Sequence, residues 1–143
     1  MFISKYSIDN WESNRNNGLL QEAKDWPEVE TAIRELDGHH RTLVTLETES
    51  ETHMSIGGGN GKYFVYTTFD NENFNYLVNR SNSDKTETLV IGGQEGLYPA
   101  RSCVDLTTTI KAAKVFAELG IIEKSLEWEG DGIPEPVRSV IGR

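Results

Sequence analysis

The chain holds one cysteine, four prolines and no long apolar run, and each scarcity closes off a class of protein. A single thiol, Cys103, forms neither an internal disulfide nor a zinc cluster; set in an apolar stretch, it reads as an ordinary buried thiol in a reducing compartment. No stretch approaches the ~18 apolar residues of a membrane span, and the start, MFISKYSIDNWES, turns polar too soon for a signal peptide. Basic residues are also scarce, 14 against 23 acids, for a net charge of −9 and a pI near 4.8. A surface that binds nucleic-acid phosphates has no electrostatic basis in such a chain. The expectation is a cytoplasmic protein that engages neither nucleic acid nor membrane and whose acidity either keeps it soluble or meets a basic partner.

Catalytic signatures are missing as well. His39, His40 and His53 show no HxH or HExxH spacing. No GxSxG elbow presents a serine, and the flanks of Cys103, Ser102 and Val104, offer no base to activate a thiol. Carboxylates are plentiful, but no spacing singles out an acid and a base. The sequence therefore predicts no enzyme, no cofactor and no metal.

What is present is enough for a core. The 143 residues match one ordinary domain, with neither an internal repeat nor a separating linker. The expected organisation is a single domain over 1–143, with a flexible loop at about 10–22 and a loosely ordered tail at about 130–143. Phe2, Ser4, Tyr6 and Ile8 follow a period of two, a strand pattern. Asp25 reads as an N-cap and Pro27 fits a first helical turn; Val29, Ala32, Ile33 and Leu36 form one apolar stripe, ended by Asp37-Gly38. Residues 41–47, 53–57, 62–69, 74–79 and 86–91 are rich in Val, Ile, Thr and aromatics between turn residues, and read as an antiparallel meander. In the third of these, Tyr63, Val65 and Phe69 share one face and Phe64 and Tyr66 the other, as in a central strand. QEGLYPAR reads as irregular. A second helix follows Asp105 or Thr107, burying Ile110, Ala113, Phe116 and Ala117, extended by Leu119 and capped by Gly120; residues 125–128 suggest a last edge strand. The fold class is α+β: one antiparallel, meander-like sheet with two main helices on one face, the other face left to solvent or a partner.

Two glycine clusters stand out. Gly57, Gly58, Gly59 and Gly61 precede Lys62, but a Walker loop needs Ser or Thr and a helix after the lysine, and here Tyr63 opens a strand pattern. A wide hairpin turn or a ligand-contacting backbone loop both fit. Gly92 and Gly93, ahead of Tyr98 and Pro99, read as a bulge or Ω-like loop, structural or used in recognition. The acids are unevenly spread. Glu47, Glu49 and Glu51 recur at period two, Asp70 and Glu72 occupy another turn, and between Glu118 and Glu135 six acids stand against Lys124 alone. Trp128 lies between Glu127 and Glu129, as a core ring or an interface anchor.

Taken in order, the helix ending in LDG, then RTLVTL, MSIGGGNGKYFVY, VIGGQEGLYPAR, the helix KAAKVFAELG and the late Trp128 resemble immunity protein family 1 of bacterial polymorphic toxin and contact-dependent inhibition systems. The resemblance covers about residues 26–128. It implies a small cytoplasmic α+β protein that binds a toxin domain delivered by a sibling or competitor cell and blocks it; deaminase and nuclease toxins are among those associated with such families. Toxins that act on nucleic acid need basic surfaces, so an acidic inhibitor is attracted to them and can occlude the substrate path. The expected function is stoichiometric occlusion of a cognate toxin domain, with Glu47, Glu49, Glu51, Asp70, Glu72, Glu127, Trp128, Glu129 and Asp131 at the interface. The alternatives are a small-ligand or nucleotide-binding domain built on Gly57 to Gly61, and an enzyme of unrecognised type.

Overall fold

Alternating β-branched, aromatic and polar residues through the middle of the chain form strands, and a computed structural model arranges seven of them in one antiparallel sheet. It describes residues 1–82 and 84–130. The strands are β1 (Lys5–Ile8), β2 (Trp11–Glu12), β3 (Arg15–Asn16), β4 (Leu19–Glu22), β5 (Leu43–Glu47), β6 (His53–Gly59), β7 (Lys62–Thr68), β8 (Phe74–Val78), β9 (Thr86–Ile91), β10 (Gln94–Pro99) and β11 (Glu127–Gly130). Helices α1 (Trp26–Arg34) and α2 (Leu106–Leu119) complete the α+β fold. The main sheet runs β11-β8-β7-β6-β5-β1-β4, and β9–β10 and β2–β3 are separate hairpins.

Both helices begin as their sequences dictate. Asp25 and Asp105 cap α1 and α2 by accepting from the backbone N–H of Glu28 and Thr108 at 3.1 and 2.8 Å. Helix α2 ends on Gly120 in the left-handed region. Helix α1 ends at Arg34, a little before Asp37-Gly38, and Leu36 is still buried beyond it. Val29 and Ile33 of α1 and Ala113, Phe116 and Ala117 of α2 meet Tyr6, Ile8, Val44, Leu46, Met54, Ile56, Tyr63, Val65, Leu77 and Trp128 in the core. Leu119, expected to extend the α2 stripe, is 65% exposed; Thr109 and Ala112 hold inward positions instead.

Three segments differ from the sequence reading. The expected loop at 10–22 contains β2, β3 and β4, with β4 paired to β1 through Tyr6↔Gln21 and Ile8↔Leu19. Asn16 Oδ1 accepts from the backbone N–H of Asn10 and Gly18, both at 2.9 Å, so a polar side chain supplies bonds that a flexible loop would take from water. All four residues of β4 are exposed, which removes the alternation that identifies a strand. In the expected irregular QEGLYPAR, Gln94–Pro99 form β10, held to β9 by the main chain while its side chains are largely exposed, and Ala100 and Arg101 open a short 3-10 turn. Gly92-Gly93 is accordingly a two-residue turn with φ of 63° and 80° rather than a bulge or Ω-like loop. Gly57 to Gly61 do not form a wide turn: Gly57 to Gly59 belong to β6, and Asn60-Gly61, at φ of 57° and 90°, makes a tight hairpin to β7.

Candidate functional site

The helices cover one face of the sheet; the opposite face is only partly covered. At one end the β9–β10 hairpin lies on it, with Ile91 so close to Gly57 that an added Cβ would stand 2.6 Å from its side chain. At the other end the face is open. There the register aligns Thr45, Ser55, Tyr66, Tyr76 and Glu129 in one row across β5, β6, β7, β8 and β11. At ~4.8 Å per strand such a row spans about 19 Å.

Aromatic rings fill the middle of this face. Tyr98 packs on Phe64 with ring centres 4.9 Å apart, Phe64 on Tyr76 at 5.8 Å, Tyr76 on Tyr66 at 6.3 Å and Tyr66 on Phe74 at 5.3 Å. His53 closes the series, 5.7 Å from the Tyr66 ring with its Nε2 3.2 Å from the hydroxyl. All six are half-buried, so each keeps solvent-facing area. Tyr98, expected as a loop residue, is part of this surface; Pro99 ends β10 before a short 3-10 turn at Ala100–Ser102. The paired faces of 62–69 carried the signal for Phe64 and Tyr66, whereas Phe74, Tyr76 and His53 join them only through strand register.

Acids flank the aromatic strip, most densely at one corner. Glu47 lies at the end of β5 opposite His53. Glu49 and Glu51 are not on that strand, as the period-two spacing suggested, but in the turn after it, because β5 ends at Glu47. That turn is joined to the one holding Asp70 and Glu72 by the Thr52 hydroxyl, which donates to the Phe69 carbonyl at 3.0 Å. Glu47, Glu51, His53 and Asn71 line a shallow hollow of about 270 Å³ at this corner. The structure thus gathers five of the expected acids at one end of the open face. Asp70 accepts from the backbone N–H of Asn73 and Glu72 and from the Asn73 amide at 2.8, 2.9 and 2.7 Å. These donors pull its pKa down to about 2.

The other flank is less bare than its sequence suggests. Glu129 sits 3.5 Å from both Arg80 and Arg101, and Glu127 lies 3.6 Å from Arg80, so cations from two other segments offset the acidic run. Trp128 points the opposite way. Its indole is 1% exposed and donates from Nε1 to the Glu123 carbonyl at 3.0 Å. It anchors β11 to the core and presents no ring to a partner, in contrast to its expected place at the interface. Asp131 and the tail expected to be loosely ordered lie outside the described residues, apart from Gly130 at the end of β11.

The glycine clusters are absorbed by the fold. A Cβ on Gly58 would stand 2.4 Å from the Lys62 carbonyl oxygen and one on Gly59 2.3 Å from the Gly38 nitrogen. Gly58 N–H donates to the Thr42 carbonyl at 3.0 Å, and Lys62 is paired with Glu87 at 2.6 Å. Neither the amide nor the lysine is held ready for a phosphate. Burial, then the nearby Glu87 carboxylate, pushes the Cys103 thiol up, away from the thiolate form. Among the described residues no three His, Cys, Asp or Glu side chains are grouped to hold a metal, and no helix is long and apolar enough to cross a membrane.

The family description "Immunity protein Imm1" matches residues 21–130, which takes in the open face, both helices and all strands from β5 to β11. The chain belongs to the Imm1 immunity protein family. Membership gives it a toxin-neutralising role and makes its partner a toxin; Imm1 proteins are generally not enzymes. A search of the curated proteins finds no match to the chain.

Proposed function

We propose that this Imm1 protein neutralises a cognate toxin domain of a bacterial polymorphic toxin system by stoichiometric occlusion, in the cytoplasm of the cell that makes it, with the open sheet face as docking surface. The observation that carries the reading is the six-ring aromatic strip, flanked by acids, on the side of the sheet that the helices leave free. Rings with apolar bodies and polar tips are the usual anchors at the centre of an interface, and a charged rim steers the approach and sets the partner. Glu47, Glu49, Glu51, Asp70 and Glu72 form the acidic rim on one side, while on the other Glu127 and Glu129 are paired with Arg80 and Arg101. A rim of that sign fits a basic partner, as a deaminase or nuclease that grips nucleic acid must be. The inhibition is steric: the rim covers the surface that would hold the substrate's phosphates, and no bond is made or broken.

Co-expression with the toxin domain encoded beside it tests the reading. Survival of the cells and a co-purified 1:1 complex are expected; an active toxin that still kills and forms no complex would overturn it. Within the complex, Tyr66→Ala with Tyr76→Ala should weaken affinity at least about thirtyfold, as loss of a hot spot of ~2 kcal/mol does. Unchanged affinity would move the interface off this face.

A further inference from the structure

Strand β4 is an outer edge of the main sheet, and Leu19 and Leu20 on it are 46% and 57% exposed. Such an edge is a template for one more strand. Beneath its inner side, between β1, β4 and α1, is a cavity of about 360 Å³. Leu19 and Gln21 line it from β4, Tyr6 from β1, and Glu28 and Glu35 from α1, with Arg41 at its margin. Glu28 Oε1 is out of contact with solvent and, among the described residues, is the one buried side-chain polar atom with no hydrogen-bond partner. Such an oxygen is costly to leave unmatched. Arg41, the cation in the cavity lining, reaches toward Glu35 at 3.8 Å. The Tyr6 hydroxyl accepts from the Gln21 amide at 2.6 Å and keeps its own proton to donate. Its pKa is raised by burial and then, against the lowering effect of that hydrogen bond, by the charges of Glu28, Glu35 and Asp25. Two carboxylates, Glu28 and Glu35, line the cavity against one arginine, so it is a negative site.

We propose that the free edge of β4 and the cavity beneath it take an extended, arginine- or lysine-bearing segment of a partner protein, which adds as a strand and places one basic side chain on Glu28. Side chains of an added strand alternate between faces, so every second one points under the sheet toward α1. The partner's cationic head meets the Glu28 and Glu35 carboxylates that line the cavity, and the exposed leucines of β4 gain apolar cover. In the cell the segment would belong to the toxin, a clause that rests on the function proposed above; the site itself does not.

The probe is an acetylated, amidated five-residue peptide of alternating valine and arginine, titrated into the ¹⁵N-labelled full chain beside the same peptide with glutamine for arginine. Amide shifts are expected at residues 19–22 and 31–35, with at least tenfold tighter binding of the arginine peptide, and Glu28→Gln should abolish that preference. Equal affinity for the two peptides, shifts confined elsewhere, or no shift at millimolar peptide would each overturn the proposal. Because the peptide stands in for the toxin, its failure leaves the immunity function untouched, and failure of the toxin to bind leaves this site standing. Thermal unfolding of Glu28→Gln distinguishes loss of the site from loss of the fold.

Discussion

An added methyl group at Gly59 would meet the Gly38 nitrogen at 2.3 Å and two Asp37 backbone atoms at 2.7 and 2.8 Å, on a residue whose φ is +144°. Nothing there is the movable end of a side chain. At Gly61, by contrast, no atom lies within 4 Å of such a group and only the φ of +90° resists it. Gly59→Ala should therefore cost at least ~3 kcal/mol and Gly61→Ala about 1 kcal/mol, a difference that urea unfolding resolves. The same scale governs acid behaviour. The Asp70 carboxyl, near 2 in the folded protein against ~3.9 in an unfolded chain, stabilises the fold above pH 4 and stops doing so as pH falls from about 4 to 2. A carbon-detected titration should place its midpoint near pH 2, and Asp70→Asn should flatten the stability curve in that window. Of these residues, the glycines were legible as turn-formers, but their tight contacts were not, since Gly38 lies 21 positions away and only the folded chain brings it near.

At the scale of elements, β11 shows how a short strand is held. It pairs with β8 through Trp128↔Leu77 and Glu129↔Tyr76, and its inward residue is the fully buried Trp128. Trp128→Ala should cost about 3–5 kcal/mol by emptying that volume, while the toxin affinity of the molecules that remain folded stays unchanged; a loss of affinity without a loss of stability would put the indole at the interface after all. Both helices, with their N-caps, and strands β5 to β8 were readable because burial there largely follows a period of 3.6 or 2; β9 was readable from its composition, but it leaves the meander for a separate hairpin with β10. Strands β4 and β10 were not, because their side chains are mostly exposed and their existence depends on a partner strand's hydrogen bonds. The candidate site was half legible for the same reason: the acids and the outward rings of β7 can be found in the sequence, but their union with Phe74, Tyr76, His53 and Tyr98 is made by register and by the fold-back of a hairpin.

For the whole molecule, a net charge of −9 and a rim of exposed acids at one corner favour steered association. The rate of complex formation with a basic toxin should fall at least about tenfold between 20 mM and 500 mM salt while dissociation changes little. Reversing Glu49, Glu51 and Glu72 to Lys should slow association and flatten that dependence; a rate and slope equal to those of the parent would remove this corner from the encounter surface. These side chains stand in turns, so the fold should survive the change. The seating of β1 bears on a different matter, the exchange of immunity domains between proteins. It lies between β5 and β4 and brings Tyr6 and Ile8 into the core, yet the segment shared with the family begins at residue 21. The stretch that kinship marks out is thus smaller than the stretch that closes the sheet. A graft of 21–130 alone would carry β5 with a bare edge, an open invitation to pair with its own copies, so any recombination that moves this domain intact must bring the first 20 residues with it or find another strand to fill their place.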